Sequence, residues 1–215
     1  MVKSNESEEL MAKAEQLRKL VSHSGLTYRP LHSDLAFASK QWRLDRSSQF
    51  WSRTVIRCLC AAVEATLFSF RKMAEQMSTL KNIQFTAEEI EILSEKRIVE
   101  KNGIQTTRPK YLSFPDAAKE SFRLFGKAVG ATVTIDYDPG FTDLCATFEV
   151  RNRLMHPKKP FDVEVNTDDI NTAERGIHWF NKAYTGVIDQ CRAYISQTIE
   201  NQIAILAQKN RPHQT

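Results

Sequence analysis

The stretch Phe141-Thr-Asp-Leu-Cys-Ala-Thr-Phe148-Glu-Val-Arg-Asn-Arg-Leu-Met-His-Pro157 is helical in period, yet polar residues stand where that period asks for apolar ones. Phe141, Leu144, Cys145 and Phe148 recur at i, i+3, i+4 and i+7, the spacing of a helix face turned to a core. The same stripe continues onto Arg151 or Asn152 and then Met155. A helix that only packed would carry Leu or Ala at 151 and 152, because charged side chains are almost never buried without a partner. Asn152 and His156 are one turn apart and share a face. Arg151 lies further round, but its stem is long enough to bring the guanidinium to the same place. Pro157 disfavours helical backbone at His156, so the imidazole is expected at the helix end, open to a ligand.

On the C-terminal side, a loop over Pro157–Pro160 leads to Asn166-Thr-Asp-Asp169, which caps a final helix expected to run towards Lys209, on the order of 60 Å if unbroken. Ile170, Ala173, Ile177, Phe180, Tyr184, Val187, Cys191, Ile195, Ile199 and Ile203 hold one stripe along it. Gly176 and Gly186 interrupt the stripe and mark kinks or close helix contacts. A helix of that length projects past a bundle of ordinary size unless a partner covers its end, which favours a dimer. On the N-terminal side, Asp138-Pro-Gly140 closes a short strand expected over Thr132–Tyr137. Pro115 opens a helix running to Val129, with Ala118, Phe122 and Phe125 on one face.

A long helix is expected from Ser47 to Leu80, its centre (Cys58–Phe70) apolar nearly all round and therefore buried. Thr86-Ala-Glu-Glu89 is a capping box that opens a short helix through Lys96. Arg97–Val99 and Ile104–Thr107 flank Lys-Asn-Gly103, a hairpin turn signal. Glu6–Val21 has helical spacing and ends at Ser24-Gly25, while residues 26–44, with Pro30, read as a loop wrapping the core. The fold class is therefore all-α: four core helices over about 44–80 and 114–208, an N-terminal helix, and an inserted helix-plus-hairpin element at about 81–113. The whole of residues 1–215 reads as a single domain.

The 215 residues, 41% of them hydrophobic, suffice for a sizeable core. Cys58–Phe70 is far short of a membrane span, and the polar, acidic start MVKSNESEEL is no secretory signal. Cys58, Cys60, Cys145 and Cys191 lie in apolar helical patterns without zinc or redox spacing, so they read as reduced core residues of a cytoplasmic protein. No P-loop or metal-ligand cluster is present, which leaves NTPase and metal chemistry without a sequence signal. His23, His32, His178 and His213 read as surface or packing residues, and Trp42, Trp51 and Trp179 as core. The net charge of +4 is too small to mark a nucleic-acid binder. Arg151, Arg153, Lys158 and Lys159 nevertheless crowd one helix end, with Arg175 expected close by. They form either a phosphate-attracting rim or a solvated turn balanced by Asp162, Glu164, Asp168 and Asp169.

Glu64 is the second anomaly, the only charge between Arg57 and Arg71 on a helix that otherwise reads as buried. A buried carboxylate needs a cation or it neutralises. Arg151, equally out of place on its own stripe, is the expected partner, with Glu64 orienting that guanidinium or tying two helices together.

Arg151-Asn152-Arg153-Leu154-Met155-His156 has four residues between Arg and His. An aromatic–Glu–Val precedes it, Pro157 follows it, and an acidic-capped helix comes next. This pattern resembles the motif of the HEPN superfamily (higher eukaryotes and prokaryotes nucleotide-binding), all-helical domains of which many are metal-independent endoribonucleases. The resemblance covers the four-helix core and is closest to stand-alone bacterial members. It implies a homodimer in which two motif helices form one composite cleft and cleave RNA by transesterification, with no metal or cofactor. It assigns phosphate binding to Arg151, proton transfer to His156, and orientation of phosphate or imidazole to Asn152, with Arg153, Lys158 and Lys159 as an RNA-binding rim. The implied setting is toxin activity or phage defence, with an antitoxin or regulatory protein as a further partner. Toxin relatives paired with a nucleotidyltransferase have Tyr two positions after the His; Lys158 stands there, so regulation by adenylylation does not carry over. The competing expectation is a catalytically silent HEPN-like module that binds nucleotide or protein, in which Arg151 and Glu64 form a structural ion pair.

The chemistry suits those residue types. Cleavage by the 2′-hydroxyl needs a base, an acid and positive charge on the phosphorane. Imidazole, with an unperturbed pKa of about 6.5, serves either proton role near neutrality. Guanidinium offers a planar fork of donors to phosphate oxygens. One histidine cannot easily do both proton jobs, so a single motif supplies half a site.

Overall fold

The computed structural model describes residues 12, 29–81, 83–101 and 104–209. The helix expected over 6–21 (Ala12 apart), Ser24-Gly25, the hairpin tip at Asn102 and Gly103, His23 and His213 lie outside them. The fold is all-α with one small antiparallel hairpin. In chain order come α1 (residues 29–44), α2 (Gln49–Lys81), α3 (Ala87–Ser94), β1 (Lys96–Lys101), β2 (Ile104–Pro109), α4 (Phe114–Val129), α5 (Pro139–Met155) and α6 (Thr167–Lys209). A 3-10 turn at Pro160–Val163 separates α5 from α6.

Residues 26–44 were expected as a loop, but 29–44 form α1. Leu31, Leu35, Ala38 and Trp42 repeat at steps of four, three and four, so one face is apolar. Ala38 is buried, and Leu35 and Trp42 pack on the core. Pro30 is one of the helical residues of α1.

α5 packs along α6, and α2 along α4 and α5. Between them sit Ile56, Val63, Leu67, Phe70, Phe122, Leu144, Phe148, Phe180 and Val187, all buried. The Phe70 ring meets Phe122, Phe125 and Tyr184 at centroid distances of 5.6, 4.6 and 5.5 Å. α5 and α6 approach closely because Gly176 has no side chain: a Cβ there would lie 2.7 Å from the Leu144 Cα. Gly186 makes no such contact and faces open space. Along α6 the stripe is buried as far as Cys191, whereas Ile195 is 40% exposed.

Residues 131–138 form no strand. Among the described residues no strand pairs with them, and side chains take backbone groups instead. The Gln190 amide donates to the Thr134 carbonyl and accepts from its N–H, both at 2.9 Å, and Trp179 Nε1 donates to the Asp136 carbonyl at 2.9 Å. Val133 and Ile135 pack on the core, and the segment runs into α5 through the Asp138 cap, whose side chain accepts from Gly140 N–H. Of the tryptophans, Trp179 is buried while Trp42 and Trp51 are half-buried.

Thr86 and Glu89 make the reciprocal capping box of α3, which stops at Ser94 because Glu95 takes the left-handed conformation (φ 55°). Glu89 is buried beneath α4, where Arg123 and Lys127 reach its two oxygens at 2.8 and 2.6 Å. β1 and β2 pair from Lys96↔Pro109 to Lys101↔Ile104. The whole of β2 is exposed, so the ribbon is held by its base, where Arg71 bonds Glu95 and Lys110 bonds Glu91. No helix among the described residues is long and apolar enough to cross a membrane.

Candidate functional site

Arg151 leaves α5 towards α2. Its Nη2 donates to the Glu64 carboxylate and its Nη1 to Asn152 Oδ1 at 3.0 Å. The guanidinium lies over the Phe148 ring, 5.5 Å from the centroid, and Phe148 is stacked at 3.6 Å on Phe114 of α4. A cation on an apolar stripe is therefore tolerated because a ring face, an amide and a carboxylate together fix it. Glu64 is not buried as the α2 pattern suggested: its side chain is 51% exposed and that of Arg151 26%. Phe68, one turn further along, is also exposed. This face of α2 lines a groove instead of the core.

The groove encloses about 1110 Å³. It is lined by residues of α2 and α5, by the segment Pro109–Phe114 that returns from the hairpin to α4, and by Ile92 and Glu95 at the end of α3. Arg151 and Asn152 open into it; His156 does not line it. His156 is the C-cap of α5, where its backbone N–H donates to the Asn152 carbonyl at 3.0 Å. Its ring is exposed and has no hydrogen-bond partner among the described residues. Pro157 thus ends the helix as the sequence suggested and leaves the imidazole accessible.

The rest of the basic cluster divides. Arg153 is engaged: it donates to the carbonyls of Asp162 and Glu164 and pairs with Asp169 at 2.6 Å. Its donors hold the turn after the motif, so it is poorly placed to serve as an open rim. Asn166 and Asp169 cap α6 reciprocally, at 2.8 and 3.0 Å. Lys158 and Lys159 are exposed. Their backbone N–H groups donate to Asp162 Oδ2 at 2.7 and 2.9 Å, and mainly through the Lys158 bond that carboxyl is held below its usual range. From α2, Arg57 donates to the Leu154 carbonyl at 3.3 Å, and Gln49 makes two bonds to the Val165 backbone at 2.8 and 2.9 Å. The helix end that carries His156 is therefore fastened from both sides.

Arg175 is not near this end. It forms a fork with Asp143 at 2.7 and 3.0 Å, about three turns back along α5. The Arg175 hydrogen bond holds the Asp143 carboxyl below its usual range. Cys60 lies beneath Arg151, and burial pushes its thiol up to about 12 despite that cation, so it is no thiolate near neutrality. Among the described residues no group of three or more His, Cys, Asp or Glu side chains is placed to hold a metal ion.

Comparison with protein-family models, with curated proteins and with solved structures gave no match for this chain. The functional reading rests on the residues themselves.

Sequence reasoning passed over two further residues of the groove lining, Arg71 and Tyr111. Arg71 is buried, bonded to Ser121 Oγ and Glu95 at 2.6 Å each, with its Nε unpartnered. Tyr111 is 89% exposed. A signal for Arg71 existed in Ser121, a hydroxyl beside the apolar face of α4; Tyr111 carries no periodic signal at all. Chemically, the site offers a fixed guanidinium for an oxyanion, a free imidazole for a proton, and a groove leading away from both.

Proposed function

We propose that the chain is a metal-independent endoribonuclease of the HEPN type, in which the 2′-hydroxyl of RNA attacks the adjacent phosphate. The observation that carries this reading is Arg151: a cation on an apolar helix face, fixed by Glu64, Asn152 and Phe148, one turn before an exposed imidazole at the helix end. Arg151 would hold the phosphate and neutralise charge developing on the phosphorane. His156 would transfer the proton, and Asn152 would orient the guanidinium it already contacts. Lys158 and Lys159 would raise the local RNA concentration.

The four-helix resemblance and the Arg–four–His spacing support the family reading, and the all-α fold is consistent with it. Since one imidazole is half an acid–base pair, the working form is a homodimer that brings two α5 ends together. The exposed end of α6 and the exposed Met155 beside His156 suit such an interface. A toxin or defence role, an antitoxin or regulatory partner and a cytoplasmic location belong to the same proposal.

A second reading has its own observation. Arg151 is already paired with Glu64, so the two can serve simply as a tie between α2 and α5 in a silent binding module. Incubating the purified chain with mixed-sequence single-stranded RNA in EDTA, wild type beside Arg151→Ala, separates the two. Cleavage by the wild type, lost in a variant with unchanged circular dichroism, is the expected result. No cleavage by the wild type favours the module.

A further inference from the structure

We infer that the groove beside Arg151 is a base-binding subsite for the nucleotide next to the phosphate, with Tyr111 as its stacking platform. The inference rests on the proposed reading of Arg151 and adds what the inserted element does in it.

The charge arrangement decides what the groove can take. Each cation that reaches it is matched: Arg71 by Glu95, Lys110 by Glu91, Arg151 by Glu64. Glu149 adds a further exposed carboxylate to the lining. A groove so balanced does not draw a chain of phosphates along its length. It does suit a flat ring with apolar faces and hydrogen-bonding edges. Phe68 and Tyr111 both present exposed aromatic surface in the lining, and aromatic side chains are the usual platforms on which unpaired bases stack.

Position supports the same conclusion. Arg151 and Asn152 belong to the groove lining, so a base adjoining a phosphate held there has the groove beside it. Glu95, also in the lining, is held by the Arg71 guanidinium, which is itself fixed by Ser121. Its carboxylate is about half exposed and can accept from an amino group on a base edge. Tyr111, Glu95 and Lys110 all belong to the insertion or its return to α4. The insertion thus supplies recognition while α5 supplies chemistry. Duplex RNA cannot use such a subsite, because its bases are already stacked and paired.

The test uses the full chain carrying His156→Ala, so that RNA is bound without being consumed, and a fluorescent single-stranded RNA of mixed sequence with one 5-iodouridine. Tyr111→Ala in that background is expected to weaken binding about tenfold, within the range for loss of one stacked base. Tyr111→Phe, which keeps the ring, is expected to bind within about threefold of the parent. Photocrosslinking is expected at Tyr111. RNA binding that depends on Arg151 but is indifferent to Tyr111, with no crosslink there, overturns the subsite and leaves the nuclease reading intact; a second copy or a peptide filling the groove gives that pattern. No RNA binding by any variant overturns both. Tyr111-dependent binding by a chain whose wild type cleaves nothing upholds the subsite and removes the nuclease.

Discussion

Glu64 of α2 and Arg151 of α5 form an ion pair in the lining of the groove, with the carboxylate half exposed and the guanidinium about three-quarters covered. Exposure on the carboxylate side limits what the pair adds to stability, since such surface pairs are worth about 0.2–1 kcal/mol. Its larger effect is positional, because Glu64 and Asn152 together fix the plane of the guanidinium. Glu64→Gln and Glu64→Leu are therefore both expected to unfold within a few degrees of the wild type. Both should lose RNA cleavage about tenfold or more if Arg151 acts on phosphate, about the scale of one misaligned charge-assisted contact. Thermal melting beside cleavage rates checks this, and a Tm collapse with Glu64→Leu would show that the pair is chiefly structural.

The α3–α4 junction depends on an ionised Glu89. Burial alone would raise its pKa, but hydrogen bonds from Lys127, from the Thr86 backbone and from Arg123 bring it down to about 2. A carboxyl lowered on folding stabilises the fold above its unfolded pKa, and that stabilisation is lost as pH falls through the folded value. The loss should fall between about pH 4.5 and pH 2 and amount to at most on the order of 3 kcal/mol. Denaturant midpoints across that range should show the slope in the wild type and a flatter profile in Glu89→Gln. Equal slopes would contradict it.

Gly176 and Gly186 should respond in opposite directions. A Cβ at 176 would meet Leu144 backbone atoms at 2.7 and 2.8 Å, which no side-chain rotation relieves. Gly176→Ala is expected to cost about 1–3 kcal/mol and, by displacing α5, to lower activity as well. Gly186 has open space around it, so Gly186→Ala should stabilise α6 by up to about 1 kcal/mol. Denaturation midpoints of the two variants, equal or reversed in sign, would show that the α5–α6 contact is looser than described.

Local codes were the legible part of this chain. Thr86 with Glu89, Pro115 in a first turn, and Asn166 with Asp169 each mark a helix start through residues within four positions of one another, so sequence spacing suffices to read them. Glu64 and Arg151 could be matched because each broke an apolar stripe. α1 was missed because Pro30 was read as a loop residue although 29–44 are helical, and the 132–137 strand was wrongly expected because its backbone groups are satisfied by Gln190 and Trp179 from a distant helix. Of the partners of Arg153, Asp169 was among the acids the sequence offered as balance, whereas the carbonyls of Asp162 and Glu164 carry no sequence signature. The groove itself arises where the insertion returns beside α5, a tertiary placement that no periodicity encodes.

Assembly is the next expectation. The half-site at each α5 end calls for a two-fold partner, so light scattering at micromolar concentration should report twice the chain mass. A crosslink between the two copies of Met155→Cys should form readily, because Met155 is exposed beside His156. A monomer, or a dimer in which these cysteines cannot be bridged, would remove the composite site.

The most direct measurement is single-turnover cleavage of single-stranded RNA in EDTA by wild type and His156→Ala, with the new ends identified. The expected products carry a 2′,3′-cyclic phosphate and a 5′-hydroxyl, the matching DNA stays intact, and His156→Ala loses about a hundredfold or more in rate while still binding RNA. Full-rate cleavage by His156→Ala, a requirement for magnesium, or no cleavage of any RNA by the wild type would contradict the proposed chemistry.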